Sequence, residues 1–100
     1  MPEYYTTHSV VAELKDGRVM AKATYAQVLA AQTNNIVVRV PDLREIETII
    51  QVEFYTDPDT SFTSFAYMDK KITGNVVGMT LYGMAAGTTL TTEVVAIGPP

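Results

Sequence analysis

Few side chains in this 100-residue sequence carry reactive chemistry, and they are scattered. His8 is the one histidine and has no nearby acid–serine constellation, so the proton relay of a nucleophilic hydrolase is not assembled. Asp57 and Asp59 flank Pro58 and offer carboxylate oxygens of the kind that calcium takes. The further oxygen ligands and the bidentate glutamate of an EF-hand loop are missing, so the pair reads as turn-forming aspartates. Gly74, Gly78, Gly83 and Gly87 suggest a phosphate cradle, but no GxGxxG or GKS/GKT pattern opens a helix there, and they read as strand and turn glycines. Asp69, Lys70 and Lys71 form a solvated patch beside a turn, and Met68, Met79 and Met84 are either core filler or an adaptable binding surface. Tyr4 and Tyr5, behind Pro2 and Glu3, combine apolar area with a polar tip and suit docking on a neighbour. No catalytic residue, cofactor or metal is expected. The interaction candidates are Tyr4, Tyr5, Asp57, Asp59 and Met84.

The bulk composition narrows the classes further. A chain of 100 residues with 47% hydrophobic and 18% charged residues is one globular domain with a modest core. A formal charge of −4 with only seven lysines and arginines disfavours a nucleic-acid surface, which needs clustered cations. The absence of cysteine removes disulfides, thiolate metal sites and thiol nucleophiles together. The start MPEYYTTHS has no basic segment followed by an apolar run, so neither a classical signal nor a membrane span is expected.

The elements that must position these residues are strands. HSVVAEL alternates, Asp16-Gly17 follows as hairpin chemistry, and the return run puts Val19, Ala21, Ala23 and Tyr25 on one face. Residues 26–32 have good helix composition and stay open between strand and helix. IVVRV after Thr33-Asn34-Asn35 is a strand with Ile36, Val38 and Val40 facing one way, ending at Pro41. PDLREI reads as one tight helical turn, with Asp42 its capping candidate, before ETIIQVEFYT alternates with Ile50, Val52 and Phe54 inward and Gln51, Glu53 and Tyr55 outward. Gly74-Asn75 joins SFAYMDKKIT to VVGMTLY as a hairpin. Both turn residues are expected at positive φ, so Asn75→Gly should be nearly neutral. TTLTTEVVAI then completes a meander, covered on both faces from Val94 to Ile97. Evenly spaced short strands argue an all-β fold, an antiparallel β-sandwich or barrel of about six to eight strands with at most one short helical turn. Residues 8–100 form the single domain, and residues 1–7 an N-terminal arm, because MPEYYTT precedes the first alternating strand with no patterned partner.

The order NIVVRVPDLREIETI, a polar loop, then TGNVVGMTLYGMAAGTTLTTEVVAIG resembles small β-rich virion proteins of tailed bacteriophages. In those a "VPGL"-like turn precedes a "GN-V-V" hairpin, a "GL-AAG" loop and an ending near "AIG". The resemblance covers roughly residues 32–98, and Asp42 stands where the pattern has glycine. It implies a non-enzymatic structural protein of the particle, most plausibly a capsid decoration or cement protein, located in the virion and assembled in the host cytoplasm. Its partner would be the major capsid protein or another virion protein, with no nucleic acid or membrane partner. A head-tail or tail component and a β-sandwich binding module are the alternatives. Exposed sheet edges suit such a task because an edge accepts a neighbour's strand. An apolar content of 47% also argues self-association about an axis, most plausibly as a trimer.

Overall fold

The computed structural model describes residues 4–30, 34–57, 66–82 and 86–100. Within them the chain forms seven strands and no helix. The strands are β1 (Thr7–Glu13), β2 (Val19–Val28), β3 (Asn34–Arg39), β4 (Thr48–Asp57), β5 (Ala66–Thr73), β6 (Val76–Tyr82) and β7 (Thr89–Gly98). They make two antiparallel sheets, one ordered β1-β2-β7-β4 and the other β3-β6-β5. The all-β sandwich expectation is met.

The core follows the period-2 pattern of the strands. Val19, Ala21 and Ala23 of β2 and Leu90, Val94 and Ala96 of β7 are buried. So are Ile36 and Val38 of β3 with Val40 just beyond it, and Val77, Met79 and Leu81 of β6. Small alanines on β2 and β7 sit in register, Ala21 opposite Ala96. They leave room for the large residues of the other sheet, and each fully buried Ile, Leu or Val contributes about 1.5–3 kcal/mol.

One stretch left open by the sequence is decided, and four expectations are corrected. Residues 26–28 continue β2, paired with Leu90, Thr91 and Thr89 of β7, so tertiary pairing overrides helical composition there. Residues 41–47 are turn and bend, with no helical turn. Their amides are committed elsewhere: Arg44 N–H donates to the Pro99 carbonyl at 2.8 Å, Ile46 to Gly74 at 2.8 Å and Glu47 to Ile97 at 2.9 Å. A helix capped at Asp42 would need the Ile46 and Glu47 donors internally. Ile50 is 49% exposed, because a bulge between Ile49 and Gln51 makes it the extra residue of β4. Ile49, Val52 and Phe54 therefore pack on the core. Finally, the meander breaks after β6. β7 changes sheets and inserts between β2 and β4, which sets Leu90, Val94 and Ala96 opposite the apolar face of β6 instead of beside it. Its outer residues Val95 and Ile97 are only half-buried, so one face of that stretch is covered and not both.

Candidate functional site

The first described residues lie on the domain itself. Tyr4 accepts a hydrogen bond at its carbonyl from the Arg39 amide at 2.9 Å, and the Thr6 amide donates to the Thr24 carbonyl. The Thr6 hydroxyl accepts from the Ala26 amide at 2.9 Å. Tyr4 meets Tyr25 edge-on with ring centroids 6.5 Å apart, and Tyr5 packs against the core. The arm expected over residues 1–7 is thus, over residues 4–7, a seam joining the β2 side of one sheet to β3 of the other. Tyr pairs here because it fills apolar space while its backbone serves the seam. Tyr4 has φ +61°, a left-handed conformation that costs a side-chain-bearing residue roughly 1–2 kcal/mol; nothing in the sequence announces it.

His8 follows on β1, and here the fold assembles what the sequence keeps 34 positions apart. Its Nδ1 is 2.8 Å from Asp42 Oδ2, and the Tyr5 ring meets its imidazole edge-on at 4.9 Å. The missing acid of the histidine is therefore Asp42, the residue read as a helix cap. The pair ties β1 to the 41–47 loop, and no serine joins it among the described contacts.

β1 is exposed along its whole length. Val10 is 49% and Val11 53% exposed. Val10 stands in register with Ala21, which is buried, so Val10 lies on the core face of its sheet. Yet it is 49% exposed, so among the described residues the other sheet leaves it only partly covered. Four strands over three leave the core face of β1 partly overhanging.

The outer face of the larger sheet is polar at its centre. Glu53 and Glu93 are direct cross-strand partners. Glu53 accepts hydrogen bonds from the Gln51 amide and the Tyr55 hydroxyl. The bond to Glu53 holds the Tyr55 proton and raises its pKa above the usual phenol value, with the nearby Glu53 and Glu93 charges adding to the effect. On the smaller sheet a notch of about 340 Å³ opens at Gly78, lined by Asn35, Val37, Lys71 and Thr80.

Of the expected interaction residues, Tyr4 and Tyr5 come together on the seam. Asp57 ends β4, and its side chain, with Asp59 and Met84, lies outside the described residues. Among the described residues no three His, Asp or Glu side chains group to hold a metal ion, and no helix is long and apolar enough to cross a membrane. Sequence reading missed the His8–Asp42 pair and the overhang at Val10. An Asp in a loop and a Val in an edge strand carry no local signal of either. Comparison with protein-family models, with curated proteins and with solved structures found no match.

Proposed function

We propose that this chain is a non-enzymatic structural protein of a bacteriophage particle, a capsid decoration protein that lies on the shell and stabilises it. The observation that carries the reading is the overhang of β1. A small acidic domain that leaves Val10 and Val11 half-exposed on an exposed strand has apolar surface that a partner's contact would bury. The resemblance of residues 32–98 to small virion proteins suggests the partner class, the major capsid protein or another virion protein, and an all-β sandwich suits a part that works by surface contact alone. Self-association as a trimer belongs to the same reading.

Cosedimentation with assembled shells of the encoding phage tests it. The chain should pellet with shells and remain in the supernatant without them. Val10→Asp with Val11→Asp should leave the melting temperature within a few degrees of the parent, since both side chains are exposed, and should abolish pelleting. Retention of full shell binding by that variant removes β1 as the contact. No binding by the parent chain removes the decoration reading.

A further inference from the structure

Gly78 stands in the middle of β6 without a backbone reason to be glycine. Gly17, Gly74 and Gly87 have φ of +90°, +60° and +88°. At Gly98 a Cβ would lie 2.0 Å from the Glu45 carbonyl oxygen. Gly78 has neither constraint: its φ lies outside the left-handed region, and a Cβ would meet only the Lys71 carbonyl oxygen at 3.9 Å, an ordinary contact. Glycine inside a strand weakens it and marks either a bulge or the close approach of a ligand or another backbone; the bulge beside Gly78 falls on β5, between Met68 and Lys71, and leaves the run of β6 itself unbroken.

What the missing side chain leaves is the notch of about 340 Å³ on the outer face of the smaller sheet. Register sets Val37, Gly78 and Lys71 in one row across β3, β6 and β5, with Asn35 and Thr80 paired in the next. The Thr80 hydroxyl donates to Asn35 Oδ1 at 3.2 Å. That occupies the amide's acceptor and leaves its Nδ2 hydrogens pointing away from the bond. Lys71 is exposed and makes no ion pair among the described residues. The Lys71 ammonium and the Asn35 amide hydrogens are thus left as donors, one of them cationic, beside the apolar wall of Val37.

We propose that this notch binds a carboxylate, carried by a small organic acid or by an acidic side chain. Lys71 and the Asn35 amide donate to its oxygens, while the bare Gly78 backbone lets the rest of the ligand lie flat on the sheet against Val37. The site is independent of the particle reading, and either can fail alone.

The full chain, labelled with ¹⁵N, would be titrated with sodium glutarate and separately with the blocked peptide acetyl-Gly-Glu-Gly-amide, at ionic strength held constant with sodium chloride. Saturable shifts confined to the amides around Asn35, Val37, Lys71, Gly78 and Thr80 are expected. A response to glutarate alone assigns a small acid, and a response to the peptide assigns an acidic side chain. Lys71→Gln should weaken binding by about tenfold, the loss of one charge-assisted hydrogen bond. Gly78→Thr should abolish binding while melting at or above the parent temperature, because a β-branched residue suits a strand. No saturable response to either probe, undiminished binding in either variant, or a lower melting temperature for Gly78→Thr overturns the proposal.

Discussion

Single residues in this domain are set by one or two atoms each. Thr92 is wholly buried between its cross-strand neighbours Tyr25 and Phe54, and its hydroxyl has no hydrogen-bond partner. An orphaned buried hydroxyl is destabilising, so Thr92→Val, which keeps the shape and removes the orphan, should raise stability by about 1 kcal/mol in a urea melt. Gly98 is the opposite case. The Glu45 carbonyl occupies the place of its Cβ, and the same loop holds the strand end through Arg44 and Glu47. Gly98→Ala should therefore cost roughly 1–3 kcal/mol. Two exposed groups couple to pH. The Arg18 amide donates to Asp16, with the Arg18 guanidinium at 2.8 Å, and together they lower the Asp16 pKa. A lowered carboxyl pKa contributes stability above its unfolded value and loses it as pH falls through the folded one. The melting difference between the parent and Asp16→Asn should accordingly be present at neutral pH and vanish in acid. Tyr55 has the reverse sign. Its raised pKa contributes stability below the unfolded phenol value and loses it as pH rises through the folded one. Ultraviolet titration should show one tyrosine ionising late, absent from Tyr55→Phe.

Elements show where local chemistry was enough and where it was not. The first hairpin closes with the Leu14 amide on Arg18 and the Gly17 amide on Leu14, Gly17 supplying φ +90°, as the Asp-Gly signal implied. The second turn has positive φ at Gly74 alone. That is the pattern of a type II′ turn, which wants glycine first, and not the type I′ turn that Gly74-Asn75 suggested. Gly74→Val should still cost about 1–2 kcal/mol. Asn75→Gly, expected from the turn chemistry to be neutral, should cost about 1 kcal/mol instead, because the Asn75 side-chain amide donates to the Leu43 carbonyl at 3.0 Å. The N-terminal segment reverses in the same way. Deleting residues 1–6 would leave the melting temperature unchanged if they formed a free arm. It should lower it by several degrees, since the deletion removes the Tyr4 and Thr6 hydrogen bonds and the packing of Tyr5.

At the scale of the molecule, the described residues form two sheets of four and three strands with four edges, and each carries a block against further pairing. Bulges interrupt β1 at Val11, β4 at Ile50 and β5 between Met68 and Lys71, and on β3 the Arg39 amide is taken by Tyr4. Bulges twist an edge out of register with an incoming strand. The exposed edges that suggested strand addition are thus poor acceptors, and association should run through side chains such as Val10 and Val11. If the chain binds a shell as proposed, hydrogen exchange on that complex should find the outer-edge amides of β4 and β5 no better protected than in the isolated chain.

The alternation of Val19 to Tyr25 and of Ile36 to Val40 was legible in the sequence, as were the hairpins at Asp16-Gly17 and Gly74-Asn75 and the all-β class. Each of these depends on residues within a few positions of one another, and the strand period and turn conformations are properties of the local backbone. The position of β7 between β2 and β4, the bulge that turned Ile50 outward, the unwinding of PDLREI, the His8–Asp42 pair and the seam at Tyr4 were decided by the tertiary structure. In each of them a backbone amide or an apolar face is satisfied by a segment tens of residues away. Which distant partner wins depends on how two sheets cover one another, a quantity that no local pattern carries.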